Sequence, residues 1–198
     1  MPTKNRDLHG NAPDEASTVL LLIDVINDLE FDGGEALLAA ALPMAERLAA
    51  LKRRARAAGI PAVYVNDNFG RWRSDFRTLL NHCRRDGVRG RQVVERLLPE
   101  SDDYFVLKPK HSGFFSTTLD TLLEYLRAST LILTGLTADN CVLFTASDAY
   151  LRDFQLVVPP DCVASIEREH THQALEHMRR VLKADLTPST ALELSRAA

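Results

Sequence analysis

Asp24, Lys108 and Cys141 each follow an apolar run. Leu20 to Ile23 precede the aspartate, YFVLK (104–108) ends on the lysine, and TLILTG (130–135) leads through Leu136-Thr137-Ala138-Asp139-Asn140 to the cysteine. A carboxylate at the end of a buried run can serve as a general base with a raised pKa. A thiol where a helix begins meets unpaired N–H groups and positive potential, which lower its pKa and favour thiolate. An ammonium beside both would complete a nucleophilic site. Each residue also has an ordinary reading: cysteine packs as a small apolar group, aspartate caps a turn, and lysine snorkels to solvent. Only their convergence would distinguish chemistry from packing.

The elements that would bring them together are five short apolar segments, TVLLLID (18–24), PAVYVND (61–67), YFVLK (104–108), TLILTG (130–135) and FQLVVPPD (154–161). Continuous apolar runs bounded by turn residues indicate strands covered on both faces, hence a parallel sheet. Between them lie helix-period stretches. Leu37, Ala41, Met44, Leu48, Leu51 and Ala55 recur at three- and four-residue spacings, Gly59 closes that segment, and Pro43 is expected to start the main helix, leaving 35–42 as a separate turn. Residues 117–127, 141–152 and 167–182 each read as one helix. The alternation predicts a three-layer, doubly wound α/β domain with a mainly parallel sheet of five to six strands, the sixth near Ala184–Leu186.

Ligands in such folds bind outside the carboxyl ends of the strands. Asp24, Asp67, Lys108, Gly135 and Asp161 all fall at predicted strand ends, so they should share one rim. The segment 68–100 is longer than a simple connection and rich in arginine, aspartate and aromatics, and it is expected to be a substrate-covering insertion.

With 198 residues and 45% hydrophobic content, the chain suits a single domain, 18–198, behind a polar extension, 1–17. A net charge of -3 gives no footprint for nucleic acid, and the cluster Lys52, Arg53, Arg54, Arg56 reads as a solvated helix face. No apolar run approaches a membrane span and residues 1–17 lack a signal-peptide centre, so no membrane partner and a cytoplasmic location are expected. The three cysteines form no CxxC pair, and Cys83 and Cys162 read as structural.

Four stretches, LLLIDVINDLEF (20–31), KPKHSGFFSTTLDTLL (108–123), TGLTADNCVLFTASDAYLRDF (134–154) and DCVAS (161–165), occur in an order that resembles the isochorismatase-like cysteine hydrolases. That family includes nicotinamidases, N-carbamoylsarcosine amidohydrolases, ureidoacrylate hydrolases and isochorismatases. The resemblance implies a catalytic triad of Asp24, Lys108 and Cys141, a cis peptide between Leu136 and Thr137, and an oxyanion hole from the backbone N–H groups of Thr137 and Cys141. Lys108 rather than Lys110 matches the family lysine, because an aromatic, Phe114, follows six residues later. It also implies a homodimer or homotetramer acting on a small molecule without a cofactor.

Nicotinamidases in the family carry an Asp-x-His motif for a metal. Here Asp67 is followed by Asn68 and Phe69, with no histidine until His82, so no metal is expected. His170, His172 and His177 read as surface histidines. Phe31, Asn68, Trp72, Arg73 and Phe114 are candidates for the substrate pocket, and Asp28 and Asp161 for turn support. Members that hydrolyse isochorismate, a vinyl ether, can lack the cysteine. Its presence favours a small amide or ureido substrate, with vinyl ether hydrolysis as the alternative. A non-catalytic doubly wound binding or signalling domain is a third reading, which leaves the helix-start thiol unexplained.

Overall fold

The computed structural model describes residues 15–67 and 75–194. Strands β1 (Thr18–Ile23), β2 (Ala62–Asp67), β3 (Tyr104–Lys108), β4 (Thr130–Leu136), β5 (Gln155–Val157) and β6 (Val163–Ala164) form one sheet in the order β3-β2-β1-β4-β5, with β6 pairing on β4. Every pairing is parallel. Helices α1 (Gly34–Ala57), α2 (Phe76–Cys83), α3 (Arg91–Arg96), α4 (Leu119–Leu126), α5 (Leu143–Tyr150) and α6 (Arg168–Val181) fill the connections.

Strand parity divides the interior into two layers. Leu20, Leu22 and Tyr64 face one side, where they pack with Leu37, Met44 and Leu48 of α1, Phe76 and Leu79 of α2, and Val93 and Val94 of α3. Val19, Leu21, Ile23, Val63 and Val65 face the other, against Leu119 and Leu123 of α4, Ala146 and Ala149 of α5, and Met178 of α6. Both faces are covered, which is why the strands read as unbroken apolar runs.

Several boundaries differ from expectation. Pro43 lies inside α1 rather than at its start, and residues 35–42 belong to the same helix. The buried stripe Leu37, Ala41, Met44, Leu48 continues across the proline, so core packing carries the helix through one missing backbone bond. The residues near Ala184–Leu186 contribute only an isolated bridge, Val157 to Asp185; the sixth strand is Val163–Ala164.

Much of 68–100 has a different role from the covering loop expected of it. Phe76, Leu79, Cys83, Val93, Val94 and Leu97 are buried in the core beside α1, so α2 and α3 are crossover helices between β2 and β3. Lys52 also departs from the solvated face assigned to it. It is buried, 2.5 Å from Asp103 and 5.4 Å from the centre of the Tyr64 ring. Among the described residues, no helix is long and apolar enough to cross a membrane.

Candidate active site

The three residues at the strand ends meet. Asp24 follows β1 in the left-handed region, φ 51, a conformation aspartate tolerates better than most residues. Its own N–H donates to Val65 O at 2.9 Å. The carboxylate is divided between two partners: Oδ1 accepts the Asp67 N–H at 2.6 Å, and Oδ2 lies 2.7 Å from Lys108 Nζ. The neighbouring Cys141 thiol also acts to lower the carboxylate pKa.

Lys108 takes its direction from strand parity. Val106, two residues earlier in β3, faces the α4–α6 layer, and Lys108 extends along the same side to a fully buried ammonium. Nζ lies 3.4 Å from Cys141 Sγ and 3.9 Å from Asp67 Oδ2. Asp67 pairs in register with Lys108 across β2 and β3, and it shares the parity of Val63 and Val65. Its place at a strand end was legible, but its backbone contact with Asp24 was not.

Cys141 sits on a corner built by close strand approach. At Gly135, φ +109, an added Cβ would lie 2.1 Å from Ile23 O, so only glycine lets β4 run this close to β1. The next peptide, Leu136–Thr137, is cis. Thr137 O then accepts N–H bonds from Asn140 and Val142, both at 3.1 Å. The five-residue reach to Val142 winds Ala138–Val142 as a π-type turn, and α5 starts only at Leu143. The expected helix 141–152 therefore begins with a wider turn that carries the cysteine.

The corner is anchored from behind. Ser165 Oγ donates to Asp139 Oδ1 at 2.6 Å, and Thr171 Oγ1 accepts the Ser165 N–H at 3.0 Å. Burial works against the Asp139 carboxylate, but its hydrogen bonds from Ser165 and Thr137 outweigh it and hold the pKa below the usual range.

Protonation follows from burial and neighbours. Burial raises the Asp24 pKa, and the Lys108 charge only partly opposes it. For Lys108, burial disfavours the ammonium, yet Asp24 and Cys141 more than offset this and hold its pKa above the ordinary lysine value. Burial and then Asp24 push the Cys141 thiol up to about 12, despite Lys108. The lowered thiol pKa expected from a helix start is thus reversed. The site holds a neutral thiol beside a carboxylate that can accept its proton and an ammonium that can stabilise the resulting thiolate.

Phe31 is half exposed in the connection from β1 to α1. Phe114 is buried in the core, with Phe154 6.1 Å away and the Arg152 guanidinium 4.6 Å over its ring, so its packing is that of a core residue rather than a pocket wall. Asn68, Trp72 and Arg73 lie outside the described residues. Asp161 holds the N–H and hydroxyl of Ser189 at 2.8 and 2.5 Å, and Asp28 pairs with His82 at 2.9 Å. Cys83 and Cys162 are fully buried, and burial pushes each up to about 12. Among the described residues, no three His, Cys, Asp or Glu side chains are grouped to hold a metal ion.

Comparison with known proteins agrees with this architecture. Residues 18–189 match the family described as Isochorismatase domain. The isochorismatase family protein YaaI of Bacillus subtilis is 39% identical over 173 residues, covering 87% of this chain and 94% of its own. The ureidoacrylate amidohydrolase RutB of Methylorubrum extorquens is 31% identical over 189 residues, 81% of this chain and 72% of its own. Among solved structures, N-carbamoylsarcosine amidase from Thermoplasma acidophilum superposes with a TM-score of 0.69 at 27% identity, covering 89% of this chain and 99% of that one. The pyrazinamidase/nicotinamidase of Streptococcus mutans gives 0.67 at 27%, covering 86% and 99%. The chain belongs to the isochorismatase family and is a hydrolase.

Proposed function

We propose that the protein cleaves a C–N bond of a small amide or ureide through a thioester on Cys141, without a metal. The observation that carries this reading is the buried Lys108 ammonium, 2.7 Å from Asp24 and 3.4 Å from Cys141 Sγ. Amidases recur among the relatives and structural neighbours, which supports the choice of bond.

Asp24 takes the Cys141 proton as the sulfur attacks the carbonyl carbon. Because the resting thiol is neutral, the two events are coupled: loss of the proton to solvent would leave a thiolate facing a carboxylate, whereas its transfer to Asp24 during attack neutralises that carboxylate. Lys108 balances the charge that moves onto sulfur. The carbonyl oxygen gains negative charge, and the N–H groups of Thr137 and Cys141 are assigned to receive it; such a donor is typically worth about 3–4 kcal/mol of barrier. Collapse breaks the C–N bond, and Asp24 returns its proton to the departing amine or ammonia. Asp24 then takes a proton from water, whose oxygen attacks the thioester, and the proton returns to sulfur as the acid leaves.

A hydrolysis screen across primary amides, ureides and isochorismate, with Cys141→Ala as control, tests this reading. The expected result is turnover of an amide or ureide that Cys141→Ala abolishes, with an acyl adduct on Cys141 visible by mass spectrometry after rapid quenching. Near wild-type amide hydrolysis by Cys141→Ala would sink the mechanism. Isochorismate cleavage that survives the substitution would instead assign vinyl ether chemistry to Asp24.

A further inference from the structure

We infer that Thr145 is a positioning residue for this reaction, its hydroxyl fixing the Cys141 corner against the loop that follows Lys108. The inference rests on the hydrolase mechanism above. Thr145 Oγ1 donates to Cys141 O at 2.7 Å and accepts the Gly113 N–H at 3.0 Å, and Thr145 is fully buried. The first bond is the common local pattern of a helical threonine, a hydroxyl turned back to the carbonyl four residues earlier. The second is not local. It joins α5 to a loop 32 residues away in sequence, five residues beyond Lys108.

The same loop is fastened a turn further along α5. Ser112 Oγ donates to Asp148 Oδ2 at 2.5 Å and accepts the Phe114 N–H at 3.1 Å. Gly113 lies so close to its surroundings that an added Cβ would stand 2.8 Å from Val65 Cγ1 and 3.4 Å from Thr145 Cγ2. The loop after Lys108 is therefore pressed onto the helix that carries the cysteine, with one buried hydroxyl bonded to both. What this sets is the 3.4 Å separation between Lys108 Nζ and Cys141 Sγ. Val65 and Leu119 pack around the loop and keep water from substituting for the hydroxyl.

Thr145→Val keeps the side-chain shape and removes both bonds, whereas Thr145→Ser keeps the hydroxyl. Two measurements are made on the full chain: the pH dependence of Cys141 alkylation by iodoacetamide, and kcat and KM on an amide or ureide from the screen. The expected result for Thr145→Val is a kcat lower by about ten- to hundredfold, since small misplacements cost that much. KM should stay within about twofold, and the alkylation profile should be displaced. Thr145→Ser should restore both. A wild-type profile and kcat in Thr145→Val, a loss confined to KM, or a serine variant no better than valine would overturn the inference.

If Thr145→Val does not fold, Ser112→Ala reads the same coupling from the outer fastening. A displaced alkylation profile supports the inference and an unchanged one overturns it. Alkylation needs no substrate, so this arm stays decisive even if Cys141→Ala shows the hydrolytic mechanism to be wrong.

Discussion

Lys108 Nζ reaches Asp24 Oδ2 at 2.7 Å although β3 and β1 are separated by the whole of β2. The lysine crosses beside Asp67, its register partner on the intervening strand. A shorter cation could not span this distance, and a solvated one would not bind the carboxylate firmly. The pair is buried at both ends, so each charge depends on the other.

Lys108→Met should therefore destabilise the fold as well as stop turnover. Removing one partner of a buried pair typically costs about 3–5 kcal/mol, because the remaining charge is left uncompensated. The sign with pH follows from Asp24, whose folded pKa already lies above its unfolded value. Its contribution to stability is fully present below the unfolded value and is lost as pH rises through the folded one. Without Lys108 the folded value climbs further and that loss becomes larger near neutrality. Urea unfolding of the variant should show higher stability at about pH 5 than at about pH 8. A flat dependence would contradict a buried Asp24 charge.

The ion pair of Lys52 and Asp103 separates stability from chemistry. Lys52 Nζ is 2.5 Å from Asp103 and also donates to Leu98 O at 3.3 Å, remote from Cys141 in the β3-proximal end of the core. Lys52→Met leaves the Asp103 side chain, 5% exposed, without its cation. The expected outcome is a stability loss of about 3 kcal/mol with kcat unchanged at temperatures where the variant is folded. A fall in kcat without a fall in unfolding midpoint would show that this cluster communicates with the site.

How much of this was legible in the sequence depended on what each residue's partners were. The parallel sheet followed from the apolar runs, and strand ends share a rim whatever the loops do, which put Asp24 and Lys108 on one edge with the turn before Cys141; that the three form a triad came from the family resemblance. Pro43 misled because a local rule about helix starts was overridden by a stripe of buried residues on both sides of it. Lys52 misled because its partner, Asp103, lies 51 residues away and no local pattern marks a buried cation. The thiol pKa departs from expectation for a related reason: the N–H groups of a helix start are legible locally, whereas burial and the adjacent Asp24 carboxylate, which raise it, are not. Phe114 was a pocket candidate as an aromatic near the lysine motif, whereas its packing on Phe154 and Arg152 is a tertiary fact.

Gly135→Ala should be among the most damaging single changes in the chain. The added methyl would meet the Ile23 carbonyl oxygen and backbone atoms rather than a side chain that could rotate away, in a conformation that L residues rarely adopt. Since β4 cannot retreat from β1 without breaking the register Ile23 to Gly135, the cost should be on the order of 3 kcal/mol or more. Thermal unfolding measures it. An alanine variant of wild-type stability would mean that β4 approaches β1 less closely than described.

Asp24→Asn offers the sharpest division between a general base and a residue that merely activates the thiol. Asp24 raises the Cys141 pKa through its charge, while Lys108 lowers it. With the carboxylate neutralised, Lys108 faces the sulfur without that opposition, and the thiol pKa should fall from about 12. Iodoacetamide should then alkylate Cys141 at lower pH than in the wild type, while the fully buried Cys83 and Cys162 stay slow. Hydrolysis should nevertheless fall by about a hundredfold or more, because no group remains to carry the proton to the leaving amine or to activate water against the thioester. A variant with both faster alkylation and retained turnover would show that Asp24 tunes the thiol without moving protons. Slower alkylation would instead show that proton acceptance by Asp24 governs the reactivity of the thiol even toward a small electrophile.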